Sequence, residues 1–163
     1  MAAEFSFDIV SDFDRQELVN AVDQTQREMR QRYDLKNAAA TLNLDKDGMT
    51  ILAPSDMTLR AVIDVLESKM IRRGLDLKIL SFGTVETASG GNIRQRITLK
   101  RGISQDLGRG LVKLVRDAVP KAKAQIQGDA VRVSSKSKDD LQRVQNAVRQ
   151  QEYDVAIQFV NYR

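Results

Sequence analysis

Lysine and arginine side chains are the most chemically informative residues of this sequence, because they are concentrated in one segment. Between Arg94 and Lys138 the chain carries twelve lysines and arginines against three carboxylates, Asp106, Asp117 and Asp129. Such cations bind phosphate groups through charge-assisted hydrogen bonds. They predict an anionic partner, and nucleic acid, a phosphorylated small molecule and an acidic protein are the open classes. For any single segment, the alternative is the solvated surface of a mildly basic protein.

Histidine and cysteine are both absent from the sequence. Their absence excludes Ser-His and Cys-His nucleophilic systems, zinc sites built from thiolate or imidazole ligands, and iron–sulfur clusters within this chain. Carboxylate pairs such as Asp139 and Asp140 stand at predicted helix starts, where capping explains them. We therefore predict a protein that is not an enzyme, with no cofactor and no metal site. An enzyme of the acylphosphatase type is the alternative, because it shares the order of elements described below.

The two halves of the sequence differ in charge. The 163 residues include 26 basic and 22 acidic side chains, a balance of +4. Residues 1–82 carry 11 basic and 14 acidic side chains, a balance of −3, whereas residues 83–163 carry 15 and 8, a balance of +7. Because cations release counterions when they bind phosphates, this difference predicts that the second half contacts the anionic partner.

The composition is that of a soluble globular protein, with 42% apolar and 29% charged residues. A chain of this length can bury a core without disulfides or a structural metal. No apolar run approaches the roughly 20 residues that span a bilayer, and the first residues are acidic where a signal peptide is basic. We predict a cytoplasmic protein without a membrane partner.

Hydrophobic periodicity predicts the strands and helices that carry these cations. Alternation predicts strands near residues 5–9, 40–44, 49–53, 93–99, 123–127, 130–134 and 155–160, and a weak apolar segment at residues 75–82 closes the first half. Helical spacing predicts helices that begin after Asp14, Ser55, Ser104 and Ser137. Residues 45–48 and 128–129 are predicted turns. Residues 83–92, which include Ser89-Gly90-Gly91-Asn92, are the predicted linker between the halves.

Each half has the same order of elements: strand, helix, strand, strand, helix, strand. An offset of 82 residues superposes Ile51 on Val133 and Leu59 on Leu141. Such an internal duplication predicts an α+β fold of two ferredoxin-like (βαββαβ) domains. In each domain, two helices would cover one face of a four-stranded antiparallel sheet and leave the other face open.

The open sheet faces are the first candidate binding surfaces. Alternation along the strands of the second half places a polar set there: Arg94, Arg96, Lys100, Lys123, Gln125, Gln127, Arg132 and Ser134. The third strands, near residues 49–52 and 131–134, lack the aromatic residues on which RNA-recognition modules stack bases. Sequence-specific readout of single-stranded RNA is therefore not expected. Charge-driven binding of a nucleotide or of structured RNA stays open.

An aromatic and basic cluster stands at residues 159–163. It contains Phe159, Tyr162 and Arg163. We assign Phe159 to the core. Tyr162 is either a stacking group for a purine or an anchor of the last strand, and the sequence leaves both interpretations open.

Several segments resemble the YajQ family of bacterial proteins. They are residues 7–11 (FDIVS), 32–36 (RYDLK), 101–103 (RGI), 126–133 (IQGDAVRV), 138–142 (KDDLQ) and 158–163 (QFVNYR). The resemblance spans nearly the whole chain in order. It implies a pair of ferredoxin-like domains that exchange their first strands, so that residues near 1–10 complete the second sheet and residues near 93–102 the first. One domain would comprise residues 11–102, and the other residues 1–10 with 103–163.

The resemblance also implies nucleotide binding. Cyclic di-GMP is the ligand class of some members of the family, and GTP or tRNA binding is proposed for others. We therefore predict a nucleotide-binding effector of the cyclic di-GMP type, with a tRNA-binding or structured-RNA-binding protein as the alternative. A module that contacts a transcription regulator is compatible with the first function.

The cations of the sequence and the resemblance together predict one ligand-binding set. Its members would neutralise phosphates or stack on a base: Arg32, Lys36, Arg101, Arg132, Lys136, Lys138, Tyr162 and Arg163. Asparagine, glutamine and backbone groups would select the base.

Overall fold

The structure, a computed structural model, describes residues 4–163. Within them the strands are β1 (Phe5–Val10), β2 (Thr41–Leu44), β3 (Gly48–Ala53), β4 (Leu80–Thr87), β5 (Ile93–Leu99), β6 (Lys123–Gln127), β7 (Ala130–Ser135) and β8 (Gln158–Val160). The α-helices are α1 (Arg15–Gln31), α2 (Asp56–Arg72), α3 (Gln105–Ala118) and α4 (Lys138–Arg149). The predicted α+β class is confirmed. No helix of this described part is long and apolar enough to cross a membrane.

The strands form two four-stranded antiparallel sheets. Their orders are β6-β7-β1-β8 and β2-β3-β5-β4. Unit 1 consists of Arg101–Arg163 with the described part of Met1–Asp12, and unit 2 consists of Phe13–Lys100. Each unit therefore has a ferredoxin-like sheet whose inner strand, β1 or β5, comes from the other half of the sequence.

Polar side chains cap the N-termini of the helices at the positions that the sequence predicts. The Asp14 carboxylate accepts hydrogen bonds from the backbone N–H groups of Gln16 and Glu17, at 2.9 and 3.4 Å. The Ser137 hydroxyl accepts one from the N–H of Asp140 at 3.3 Å. These bonds satisfy N–H groups that have no partner within the helix. As a result, α4 begins at Lys138, a residue of the predicted ligand set.

Alternation along β1 separates its two faces. Phe7 and Ile9 are fully buried, and they pair across the sheet with Val133 and Val131 in the core of unit 1. Asp8, between them, has its side chain on the opposite face, where it meets Arg132 of β7. The apolar periodicity thus correctly predicts which side of this sheet the helices cover.

The predicted linker at residues 83–92 is wrong. Residues 83–87 continue β4, which pairs with β5 through Val85↔Gln95 and Thr87↔Ile93, and a short turn at Ser89–Gly91 joins the two strands. Most of β4 is exposed, so it lacks the apolar alternation that reveals a strand in a sequence. The last strand is also shorter than predicted and covers only Gln158–Val160.

The charge difference between the sequence halves does not persist in the fold. Unit 1 contains 12 basic and 10 acidic side chains, and unit 2 contains 14 and 12, a balance of +2 in each. The reason is the strand exchange: the acidic first residues join unit 1, while β5 brings Arg94 and Arg96 to unit 2. The prediction that these two arginines share an open face with Arg132 is therefore wrong.

Candidate functional site

Unit 1 contains a cavity of about 500 Å³ between the start of β1, the first half of α4 and the residues after β8. We call it the aromatic cavity, and its lining residues are Phe5, Ser6, Phe7, Lys138, Leu141, Gln142, Gln145, Tyr162 and Arg163. The four residues from α4 have helical spacing, so they share one face of that helix. This lining combines aromatic rings, two amides and two cationic side chains, and it includes no aspartate or glutamate side chain.

Lys138 lies at the rim of the aromatic cavity, in the first turn of α4. Its Nζ is 4.9 Å from the centroid of the Phe5 ring. A cation over an aromatic face is attracted by the ring quadrupole. Among residues 4–163, no carboxylate forms a salt bridge with this ammonium group. Lys138 is exposed and keeps hydrogen-bond donors for a further anion.

Tyr162 is anchored by its contacts and is also exposed, so both interpretations of this residue stay open. Its hydroxyl accepts a hydrogen bond from Nε2 of Gln145 at 3.1 Å, and its ring centroid is 6.1 Å from that of buried Phe7. The tyrosine is nevertheless 64% exposed. It is therefore anchored in position while its ring remains available to a ligand.

A β-bulge after β8 brings the chain end to the cavity. Asp8 pairs with Val160, but Ser6, two residues earlier, exchanges backbone hydrogen bonds with Arg163 at 3.1 and 2.9 Å. Regular pairing would place Tyr162 opposite Ser6, so the segment contains one extra residue. Asn161 has a φ of +55°, a left-handed conformation in which asparagine is one of the few favoured residues.

An ion pair between buried Asp8 and half-buried Arg132 supports this bulge from the open face of the sheet. Asp8, 8% exposed, accepts a hydrogen bond from Nε of Arg132 at 3.0 Å and one from Nδ2 of Asn161 at 2.8 Å. The Arg132 hydrogen bond is the main reason that the pKa of Asp8 lies below its ordinary value, although burial acts in the opposite direction. The charge of Arg163 lowers this pKa further.

The predicted ligand set is not brought together in one place. Lys138, Tyr162 and Arg163 line the aromatic cavity, whereas exposed Lys136 lies outside its lining. Arg132 is paired with Asp8, and Nε of Arg101 lies 2.6 Å from Oδ1 of Asp12.

The two remaining members of the set, Arg32 and Lys36, belong to unit 2. Nε of Arg32 lies 2.7 Å from Oδ1 of Asp34, so this guanidinium already has a carboxylate partner. Nζ of Lys36 lies 5.4 Å from the ring centroid of Tyr33.

Sequence reasoning missed Phe5, Gln142 and Gln145. The alternation along β1 places Phe5 on the same face as the core residues Phe7 and Ile9. Gln142 and Gln145 lie on a polar face of α4, where glutamines are common and do not by themselves indicate a binding site. One sequence feature could have identified this site: the helical spacing of four residues that places them on one face of α4, namely Lys138, Leu141, Gln142 and Gln145. The cavity lies on the side of the sheet that α4 covers, not on the open face.

A larger groove in unit 2 is chemically less suited to a nucleotide. It has about 620 Å³, lies between α1 and α2, and is lined by charged and amide side chains: Glu17, Gln24, Arg27, Glu28, Gln31, Lys69, Arg72 and Arg73. Its carboxylates neutralise two cations, since Lys69 pairs with Glu28 at 3.0 Å and Arg73 with Glu17 at 3.7 Å. It lacks an aromatic wall. Across the residues described, 4–163, no cluster of three or more carboxylates is placed to hold a metal ion.

Proteins of known sequence resemble this chain along its whole length. Three are named nucleotide-binding proteins: one from Trichormus variabilis, 55% identical over 163 residues, one from Synechococcus elongatus, 54% identical over 163 residues, and one from Roseiflexus castenholzii, 52% identical over 165 residues. Each alignment covers 100% of both chains. A family model described as "Nucleotide-binding protein YajQ-like" matches residues 5–163. The chain therefore belongs to the YajQ-like family.

Proposed function

We propose that this protein binds a nucleotide in the aromatic cavity and acts as an effector of the cyclic di-GMP type. The observation that carries the proposal is the lining: aromatic rings, amides and two cationic side chains surround about 500 Å³, and no aspartate or glutamate side chain is among the lining residues. That volume lies within the roughly 300–1,000 Å³ typical of small-molecule sites. The names of the relatives, all nucleotide-binding proteins, support a nucleotide as the ligand.

Each group of the lining matches one part of a nucleotide. Tyr162 offers an exposed ring on which a base can stack, an interaction worth about 1–3 kcal/mol. Gln142 and Gln145 offer amide donors and acceptors for the edge of the base. Lys138 and Arg163 would contact phosphate oxygens, and such charge-assisted hydrogen bonds are stronger than neutral ones.

Calorimetry on the full chain at physiological salt tests the proposal. Cyclic di-GMP, cyclic di-AMP, GTP and ATP would be titrated separately into the wild type and into the double variant Lys138→Ala, Arg163→Ala. We expect cyclic di-GMP to bind best and the double variant to lose about 10- to 100-fold in affinity.

Lys113→Ala is the matched control, because it removes an exposed lysine of unit 1 on α3, outside the cavity. It should leave the dissociation constant within about twofold of the wild type. The absence of detectable heat with all four nucleotides, or equal losses in the control and the double variant, would contradict the proposal.

Binding of tRNA or another structured RNA is the alternative function. It predicts an affinity that falls steeply with salt, because counterions are released from the phosphates. A balance of only +2 in each unit gives this alternative less support than the charge of the second sequence half suggested. A tRNA titration at two salt concentrations separates the cases: tight, salt-sensitive binding that persists in the Lys138→Ala, Arg163→Ala variant would favour RNA.

A further inference from the structure

A second cavity, of about 310 Å³, lies within unit 2. We call it the loop cavity, because it is lined by the second half of α1, the loop of residues 32–40 and β2. Its lining is Gln26, Met29, Arg30, Leu35, Lys36, Ala39, Ala40, Thr41, Leu42 and Asn43. Met29, Leu35 and Leu42 are buried and form an apolar floor.

The rim of the loop cavity is positively charged. Arg30 and Lys36 are exposed, and across residues 4–163 neither has a carboxylate partner. Arg32, between them in sequence, is the contrasting case, since it is paired with Asp34. Arg30 stands in the last turn of α1, where the helix dipole already favours a cation. Lys36 lies in the loop, where no helix dipole favours a cation.

Polar groups beside the cations can orient a ligand. Nε2 of Gln26 donates a hydrogen bond to the backbone carbonyl of Leu42 at 2.7 Å, which fixes the amide and leaves its oxygen as an acceptor. Asn43 is exposed on β2. Tyr33, 86% exposed, lies against Lys36 through the 5.4 Å contact and adds an aromatic surface next to the rim.

We propose that the loop cavity is a second binding site, specific for a small phosphate monoester with an apolar body. The apolar body packs on Met29, Leu35 and Leu42, while Arg30 and Lys36 bind the phosphate through charge-assisted hydrogen bonds. The volume lies near the lower limit for small-molecule sites, about 300 Å³, so the cavity suits a ligand smaller than a cyclic dinucleotide.

Nuclear magnetic resonance with phenyl phosphate tests this site on the isotopically labelled full chain. The probe joins a small apolar ring to one phosphate, and phenol is the matched probe without the charge. We expect saturable shifts of backbone amides at residues 26–30 and 35–43 with phenyl phosphate, and much weaker ones with phenol. Equal responses to both probes, or no saturable shifts at these residues, would overturn the proposal.

Variants identify the residues that carry the binding. The double variant Arg30→Ala, Lys36→Ala should bind phenyl phosphate about tenfold more weakly or worse. Arg32→Ala, which removes a neighbouring but paired arginine, should stay within about twofold of the wild type. If the spectrum shows that the double variant is unfolded, Lys36→Gln keeps a long polar side chain and takes its place. Unchanged affinity in a folded variant lacking Lys36 would exclude this role.

The loop cavity and the aromatic cavity can be tested independently. Substitution of Arg30 and Lys36 should leave cyclic di-GMP affinity unchanged, and Lys138→Ala with Arg163→Ala should leave phenyl phosphate binding at residues 26–43 unchanged. Failure of cyclic di-GMP to bind would remove the proposed function without moving the phenyl phosphate result. Loss of both ligands on substituting either pair would show that the loop cavity is not a separate site.

Discussion

Asp8 links two residues that are distant in sequence, Arg132 and Asn161. Its carboxylate joins β7, 124 positions away, to the bulge after β8, 153 positions away. Burial makes an isolated carboxylate costly, but the arginine and the asparagine amide compensate for that cost. The sequence shows Arg132 as one of many available cations, because periodicity assigns a residue to a face and cannot identify its cross-strand partner. The prediction that Arg132 lies on the open face of the sheet is correct, but its guanidinium is already paired with Asp8.

Replacement of Asp8 should reveal how much this carboxylate stabilises unit 1. At pH 7, Asp8→Asn should lower the free energy of unfolding by about 1–2 kcal/mol, because Arg132 loses its counterion. The folded-state pKa of Asp8 is lowered, so its contribution is fully present above the ordinary aspartate pKa of about 3.9. It is lost progressively as the pH falls from that value through the lower folded-state pKa. Urea unfolding measured from pH 7 to pH 3 should show the two proteins converging at the acidic end.

Asp106→Asn is the control for that measurement. Asp106 is exposed on α3 and pairs with Arg109, and surface pairs contribute little. Its stability should differ from that of the wild type by less than about 0.5 kcal/mol. A constant difference between Asp8→Asn and the wild type at every pH would contradict the assigned role of the Asp8 charge.

Two substitutions of Tyr162 separate its ring from its hydroxyl. Tyr162→Phe removes the hydrogen bond from Gln145 but keeps the ring, so cyclic di-GMP affinity should fall by no more than a few-fold. Tyr162→Ala removes the stacking surface and should weaken binding by about tenfold or more. Calorimetry on both variants checks this order. Equal affinity of Tyr162→Ala and the wild type would assign the tyrosine to anchoring alone.

At the scale of elements, the bulge after β8 decides which side chains reach the aromatic cavity. The sequence shows a strand ending in an aromatic and basic cluster but carries no signal for the extra residue. The bulge becomes visible only from the pairing of Ser6 with Arg163 and from the positive φ of Asn161. Helix starts behave differently, because Asp14 and Ser137 act locally and the sequence predicts them well.

Two substitutions at Asn161 test the bulge. Asn161→Gly keeps access to the left-handed conformation and loses only the hydrogen bond to Asp8, whereas Asn161→Ala loses both. We expect Asn161→Ala to be less stable than Asn161→Gly by roughly 1 kcal/mol, and its cyclic di-GMP affinity to be the lower of the two. Thermal unfolding and calorimetry give the two values. The reverse order in both would show that the backbone conformation of Asn161 does not position the site.

At the scale of the whole molecule, strand exchange limits what a linear sequence can show. The order of elements and the duplication predict the ferredoxin-like class, because each depends on local periodicity. The net charge of each half of the sequence does not predict the net charge of each folded unit. The reason is that β1 and β5, with their charged residues, each belong to the unit formed mainly by the other half. The duplication also does not repeat the site. The offset of 82 residues that superposes Leu59 on Leu141 places Asp56 at the position of Lys138, so the unit 2 equivalent has the opposite charge.

The most direct measurement is a backbone amide shift map of the full, isotopically labelled chain during titration with cyclic di-GMP. We predict saturable shifts at residues 5–7, 138–145 and 162–163, which surround the aromatic cavity. Shifts confined to the open sheet face, at Gln125, Arg132 and Ser134, or to unit 2, or no shifts at millimolar nucleotide, would contradict the assignment of ligand binding to this cavity.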